Sequence, residues 1–231
     1  MSAVPIIMAI IPSLVLVLLF MRFDRRRPEP RGEILRAFVL GVFSTIPVLV
    51  LEILVDSFFS PWFTNPLYLA VLEAFVVAAL CEEGIKLMVV RYFLYRRAHF
   101  NEVMDGILYT VAAGLGFACL ENIIYVASGG ITVALTRAFT AVPLHAVCSA
   151  LLGYALGMAR FAPTADEEQR LISGGLFLAV FIHGTYNFLL FMVPFWGALS
   201  ALTVFPVLFI AGRMVRERLR RAEIADRKRG I

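Results

Sequence analysis

The sequence predicts an all-α polytopic membrane protein, a bundle of about seven transmembrane helices. Of its 231 residues, 61% are hydrophobic and only 16% are charged, and the mean hydropathy is +0.86. Soluble domains contain about 45–50% apolar and about 25% charged residues. Several apolar blocks reach the ~20 residues that a helical span needs, and the alternation typical of outer-membrane strands is absent. This composition excludes a soluble fold and a nucleic-acid-binding module.

The first apolar block has two interpretations, a cleaved signal peptide and a retained anchor. It lacks a basic start and a small-residue cleavage site, contains Pro5 and Pro12, and ends at a run of arginines. These features favour the anchor. The remaining blocks are separated by short polar or Gly/Pro-containing loops. The predicted helices are 3–21, 36–55, 67–90, 103–127, 131–159, 171–192 and 195–212.

The basic residues predict the orientation of this bundle. Nineteen of the 21 lysines and arginines fall in the segments 22–36, 91–97, 160–170 and 213–229. The alternate loops, near 56–66, 128–130 and 193–195, contain none. Basic loops face the cytoplasm. We therefore expect an outside amino terminus and a cytoplasmic carboxyl terminus, which requires an odd number of spans.

The chain shows no repeat, low-complexity tract or second domain, so we expect a single transmembrane domain over 1–231. Its chemistry-bearing part is about 67–192, and 213–231 is a basic cytoplasmic tail attracted to anionic lipid headgroups. All three cysteines lie inside apolar blocks. An odd, membrane-embedded set does not predict a disulfide framework.

Ionisable residues inside the predicted spans are the strongest functional signal. Such groups cost ~2.5–3.5 kcal/mol each near the bilayer centre and usually mark functional sites. Folding the chain at its loops, with a rise of ~1.5 Å per residue, brings four of them to one depth near the bilayer midplane: Glu82, Glu83, His145 and His183. The others are Glu73, Lys86, Glu121 and Arg137.

The motif Glu82-Glu83-x-x-Lys86 lies on one helix, with Glu82 and Lys86 in the favourable i,i+4 order. Adjacent glutamates point about 100° apart on a helix. We therefore expect one glutamate to activate water, and the other to pair with Lys86 or orient a partner. Either glutamate can be the base.

Two histidines extend this centre. His183 and Asn187 share one face of helix six, an arrangement suited to stabilising an oxyanion or to holding a metal with a neighbouring partner. His145 follows Pro143, which frees a backbone carbonyl and is expected to kink the helix at the position of the histidine. It can serve as an acid, a base or a metal ligand. Glutamates and histidines of this kind bind zinc, and they also activate water without a metal.

Glu121 has two interpretations. The depth estimate places it level with Arg137, about nine residues or ~13 Å outward of the polar centre, which predicts a structural salt bridge. A catalytic role is the other interpretation. Glu73 lies about 180° around its helix from Glu82, so we expect it to pack or to line a polar surface.

These residues resemble the PrsW family of intramembrane proteases. The resemblance is carried by Glu82-Glu83-x-x-Lys86, Phe117-x-x-x-Glu121-Asn122-x-x-Tyr125, Arg137 with Pro143-x-His145, and His183-Gly-x-Tyr-Asn187, in the family's order over roughly residues 70–190. The family is related to the type II CAAX prenyl endopeptidases, which have histidine where this chain has Glu121. This match implies a site role for Glu121, and a kink near Gly114 and Gly116 would reconcile that role with the depth estimate.

The resemblance implies a peptidase in a prokaryotic cell membrane that cuts membrane-associated protein or peptide substrates. In the best-known member of the family, the substrate is a membrane-spanning anti-sigma factor cut at an extracytoplasmic site. The implied catalytic residues are Glu82, Glu83, Glu121, His145, His183 and Asn187, with Lys86, Asn122 and Arg137 in support. Glu121, His145 and His183 are the implied ligands for zinc, and a metal-free mechanism is the other interpretation.

Two other function classes fit the same residues. Midplane acids and histidines also suit a proton- or ion-coupled transporter, although inverted repeats and paired broken helices, common in transporters, are not evident. A non-catalytic scaffold would use the polar residues only for helix association.

Overall fold

A computed structural model describes residues 3–24 and 27–230, and every regular element in this part of the chain is a helix. We number the seven long helices α1 to α7. The first two are α1 (Ala3–Met21) and α2 (Arg31–Phe59). They are followed by α3 (66–93), α4 (103–129), α5 (131–160), α6 (Ala165–Phe191) and α7 (Val204–Lys228). Short helices at Ser60–Trp62, Val193–Trp196 and Ala198–Thr203 complete the connections.

The seven predicted helices are all present, with different ends. The prediction 36–55 was too short, since α2 gains a turn or more at each end. The predicted helix 195–212 was placed too early in the chain. Two short helices occupy 193–203, and α7 continues through the basic segment as far as Lys228. This tail is therefore largely an ordered helix that packs Val215, Leu219 and Ala222 against the bundle.

The apolar helices identify a membrane protein. Five stretches are long and apolar enough to cross a bilayer: Val4–Met21, Arg31–Trp62, Val103–Arg160, Ala165–Phe191 and Ala198–Lys228. The third of these contains both α4 and α5. Large apolar side chains face outward along these helices, as expected for contact with lipid; examples are Leu18, Phe43, Ile53, Phe177 and Phe209. The orientation across the bilayer stays a prediction.

The central element is α4, whose residues 103–119 are all buried. A helix that is apolar on every side belongs in the core. It packs most extensively on α5, and the two backbones approach closely through glycines. A Cβ atom on Gly106 would lie 2.4 Å from the carbonyl oxygen of Gly153, and one on Gly153 would lie 2.3 Å from that of Gly106. Small residues permit this approach between membrane helices.

Three local irregularities shape the polar centre. Residues Glu73–Leu80 of α3 form a π-helix, and such segments frequently occur at functional sites. Gly130 has a φ of 65°, which turns the chain from α4 into α5. Thr140 is non-helical, with φ −125° and ψ −71°. The expected kink at His145 was misplaced. Pro143 lacks an N–H and its ring clashes with the carbonyl four residues earlier, so the break falls at Thr140, before the proline, and His145 lies within the helix that follows.

Candidate active site

The first part of the site comes from α3, immediately after its π segment. Lys86 Nζ lies 2.9 Å from Glu82 Oε2 and 2.9 Å from Glu83 Oε1. It also lies 4.2 Å from the centre of the Phe117 ring. All three ionisable side chains are buried, and Glu83 has no exposed surface at all. A lysine this deep needs compensating anions, which the two glutamates supply.

This arrangement corrects the expectation that only one of the adjacent glutamates faces a given neighbour. Lys86 is both i+4 to Glu82 and i+3 to Glu83, so its ammonium sits between the two side chains. Although the two Cα–Cβ bonds point about 100° apart, side-chain rotation brings both carboxylates to the same ammonium group. The pair therefore acts around one cation.

His183 of α6 joins the site through both glutamates. Its Nδ1 lies 2.9 Å from Glu83 Oε1, and its Nε2 lies 3.7 Å from Glu82 Oε1. A carboxylate is only an acceptor, so Nδ1 carries the proton and donates to Glu83. Nε2 of the neutral ring is then an unprotonated acceptor beside Glu82. Glu83 thus fixes both the orientation and the tautomer of His183.

His145 of α5 has the opposite tautomer. Its Nδ1 lies 3.0 Å from Lys86 Nζ, and its Nε2 lies 2.8 Å from Glu121 Oε2. Because a lysine ammonium has no acceptor, Nδ1 accepts and Nε2 carries the proton that is donated to Glu121. The His145 and His183 rings meet edge to face, with centroids 5.2 Å apart.

Glu121 both forms the predicted salt bridge and belongs to the polar centre. Arg137 Nη2 donates to Glu121 Oε2 at 2.7 Å, and Arg137 Nε donates to Asn122 Oδ1 at 2.6 Å. The depth estimate put Glu121 ~13 Å outward of the centre, yet Glu121 contacts His145 directly, because the two side chains reach towards each other. No kink at Gly114 and Gly116 is involved, because α4 is regular there.

A cavity of about 600 Å³ collects these groups. Glu82, Glu121, His145, His183 and Asn187 all line it, whereas Glu83 and Lys86 are not among its lining residues. The two glutamates of the motif therefore differ in access. Glu82 faces the cavity, and Glu83 lies behind it with its Oε2 atom buried and lacking a hydrogen-bond partner among the described residues.

Three further acids line the same cavity. Glu73, predicted to pack or to line a polar surface, does line it, although α-helical geometry puts it opposite Glu82. The π segment between them turns less per residue than an α-helix, so both residues reach the cavity. Glu52 and Asp56 of α2 also line it, and sequence reasoning missed them. The signal for Glu52 was present, since it is an acid within the predicted span 36–55.

The donor set at the centre fits a divalent metal ion. One ligand atom each from Glu82, Glu83, His145 and His183 lies within 4.8 Å of the others. Lys86 engages three of these residues, but Glu82 Oε1 and His183 Nε2 point away from its bonds and are 3.7 Å apart. Ligands of a tetrahedral zinc with ~2.1 Å bonds are separated by about 3.4 Å. The three cysteines are buried, free and outside this group.

The comparisons with known proteins agree with this geometry. Residues 29–212 match the profile of the PrsW family intramembrane metalloproteases. "Protease PrsW" of Geobacillus kaustophilus (strain HTA426) is 32% identical over 89% of this chain and 88% of its own length. "Protease PrsW" of Halalkalibacterium halodurans is 33% identical over 81% of this chain and 87% of its own.

The similarity extends to a third bacterium, since "Protease PrsW" of Bacillus subtilis (strain 168) is 31% identical over 81% of this chain and 83% of its own length. No solved structure matches the chain. The family match includes the whole of the buried glutamate and histidine centre. The chain therefore belongs to the PrsW family of intramembrane metalloproteases, and it is a membrane-embedded peptidase.

Proposed function

We propose that the chain hydrolyses a peptide bond of a membrane-spanning protein with Glu82 as the base that activates water. One observation carries the proposal. Glu82 Oε1 and His183 Nε2 are two proton acceptors 3.7 Å apart that border one cavity. A water molecule between them would donate one proton to each and direct a lone pair into the cavity.

The surrounding residues hold these two acceptors in place. Glu83 accepts from His183 Nδ1 and keeps Nε2 available, while Lys86 fixes the other oxygen of Glu82. His145, Glu121 and Arg137 form a second chain of hydrogen bonds along the cavity wall. Groups whose orientation is set before substrate binds lose little free energy in reaching the transition state.

The proposed reaction has two steps. The water oxygen forms a bond to the scissile carbonyl carbon, and Glu82 takes one water proton as the carbonyl oxygen becomes an oxyanion. Glu82 then gives that proton to the peptide nitrogen while the carbon–nitrogen bond breaks. The products are a new carboxylic acid, which then loses its proton to water, and a new amine.

Asn187 is the proposed stabiliser of the oxyanion. It lies one turn after His183 on α6 and lines the same cavity. Its side-chain amide can donate to the charge that develops on the carbonyl oxygen. Glu82 and His183 would also hold zinc, and, when bound there, zinc supplies Lewis acidity and a more acidic water.

The location of the cavity supports the proposed substrate class. It lies among helices that are apolar enough to cross a bilayer, and its walls include Leu49, Leu144 and Phe205 beside the polar groups. An extended segment of a membrane-spanning protein fits this lining. We extend the proposal to single-span, anti-sigma-like substrates on the family resemblance. Family membership favours this hydrolase over the transporter interpretation.

The proposal is tested with purified full-length protein in nanodiscs and a fluorescent casein probe. In water enriched with oxygen-18, mass spectrometry should find the heavy isotope in the new carboxyl termini. Glu82→Gln should lower the cleavage rate by about 10²–10⁴-fold, the usual contribution of a general base.

The matched control is Glu217→Gln, which makes the same chemical change on the exposed face of α7. It should leave the rate unchanged. Cleavage at the wild-type rate by the Glu82→Gln protein would refute the proposed role. Products without oxygen-18 would refute hydrolysis.

A further inference from the structure

A second buried acidic cluster lies away from the catalytic cavity, at the end of the bundle that carries the basic loops. It consists of Asp24 in the α1–α2 loop and of Glu102 and Asp105 at the start of α4. One carboxylate oxygen of each lies within 4.8 Å of one from each of the others. All three residues are buried, and Asp105 has no exposed surface.

Each of these carboxylates uses one oxygen to accept backbone hydrogen bonds. Asp24 Oδ2 accepts from the N–H of Glu29 at 2.8 Å. Asp105 Oδ2 accepts from the N–H groups of Asn101 and Glu102 at 2.8 and 2.6 Å. The Glu102 side chain accepts from the N–H of Asp105, which completes a reciprocal cap. The backbone therefore fixes the orientation of all three.

Two of the second oxygens are left without such partners. Asp105 Oδ1 and Glu102 Oε1 are buried and have no hydrogen-bond partner among the described residues. Among the described residues, the half-exposed Arg27 has its Nε 3.7 Å from Glu102 Oε1. Asp226 of α7 adds further negative charge while it caps the N–H groups of Val103 and Met104. A buried, unpaired carboxylate oxygen requires a proton or a cation.

We propose that Asp24, Glu102 and Asp105 bind one hard divalent cation, Mg²⁺ or Ca²⁺, at a site separate from the catalytic cavity. Hard cations of this kind take carboxylate oxygens and water as ligands. An adjoining cavity of about 770 Å³, lined by Asp24, Glu102 and Asp226, provides room for water ligands and an entry route. The absence of histidine and cysteine from this cluster disfavours zinc.

The site joins three separate parts of the chain. Asp24 belongs to the loop after α1, Glu102 and Asp105 to the first turn of α4, and Asp226 brings the end of α7 to the same helix terminus. A bound cation would therefore fix the loop on the central helix, beside the Asp226 cap that holds the end of α7 there. Its expected effect is on the stability of the bundle.

The test uses metal-depleted, full-length protein in nanodiscs, titrated separately with MgCl₂ and CaCl₂. Isothermal titration calorimetry should find one ion per chain, and the unfolding temperature should rise with the same ion. The comparison of the two salts identifies which cation the site prefers. Absence of saturable binding of both ions up to about 10 mM, about tenfold above the ~1 mM dissociation constant of the weakest protein calcium sites, overturns the proposal.

Asp105→Asn is the sharpest variant. The asparagine oxygen can still accept from the backbone N–H groups, while its amide group replaces the free ligand oxygen. Ion affinity should fall at least tenfold. Glu102→Gln follows the same logic and replaces Asp105→Asn if that protein does not fold. Glu217→Gln is the control for surface charge, and it should bind as wild type does.

A separate variant distinguishes the two metal-binding candidates. His183→Asn alters the catalytic centre and leaves the acidic cluster untouched, so it should bind Mg²⁺ or Ca²⁺ like the wild type. If His183→Asn abolishes binding and Asp105→Asn and Glu102→Gln do not, the ion is at the catalytic centre and the proposal is wrong.

Discussion

Replacing Lys86 with methionine should destabilise the protein more than any surface change of charge. The ammonium group is 1% exposed and contacts Glu82, Glu83 and His145 at 2.9, 2.9 and 3.0 Å. Methionine has a similar length and keeps the packing, but it leaves the two glutamates without their cation. The change therefore isolates the electrostatic role of the lysine.

The expected size follows from the cost of breaking a buried ion pair. Removal of one partner costs about 3–5 kcal/mol, because the other charge stays buried and uncompensated. For a chain of this size, each kcal/mol lowers the unfolding temperature by about 2–4 °C. The Lys86→Met protein should therefore unfold about 6–20 °C below the wild type.

Thermal unfolding in nanodiscs measures this difference, with Lys228→Met on the exposed end of α7 as the matched control. The control should change the unfolding temperature by less than about 2 °C. The double variant Glu83→Gln, Lys86→Met removes one uncompensated charge and should recover part of the loss. The reasoning would be refuted if the Lys86→Met protein unfolded within about 2 °C of the wild type, which is the range expected of the control.

Two further predictions test the helix packing and the oxyanion contact. Gly153→Ala places a methyl group 2.3 Å from the Gly106 carbonyl oxygen and should lower the free energy of unfolding by about 1–3 kcal/mol, measured by thermal unfolding. The control Gly174→Ala has open space around its Cβ and should be neutral or stabilising. Asn187→Ala should lower kcat in the casein assay by about 10²–10³-fold with an unchanged unfolding temperature; a kcat within twofold of wild type would remove Asn187 from the mechanism.

The sequence predicts the membrane bundle and the meeting of Glu82, Glu83, His145 and His183 because both rest on simple geometry. Apolar blocks of span length leave few alternatives to helices, and a fixed rise per residue converts positions along the chain into depth. The four residues are indeed within ligand distance of one another. Their depth could be estimated well because each is near the middle of its helix.

Other features depend on side-chain conformation or on irregular backbone and were not predictable in this way. Glu121 and His145 differ in estimated depth, and they meet because their long side chains extend towards each other. The π segment Glu73–Leu80, which turns Glu73 towards the cavity, has no sequence signal in the hydropathy pattern. The acidic cluster brings Asp24 of the α1–α2 loop to Glu102 and Asp105 at the start of α4. A rise per residue gives depth along a helix and does not place a residue in a loop.

The most direct test of the account compares turnover by Glu82→Gln and Glu83→Gln, two isosteric changes at adjacent positions. Glu82 faces the cavity as the proposed base, whereas Glu83 acts through His183 from behind it. The account predicts a loss in kcat of about 10²–10⁴-fold for Glu82→Gln and a smaller loss of about 10–100-fold for Glu83→Gln. The reverse order, with Glu83→Gln inactive and Glu82→Gln active, would contradict it.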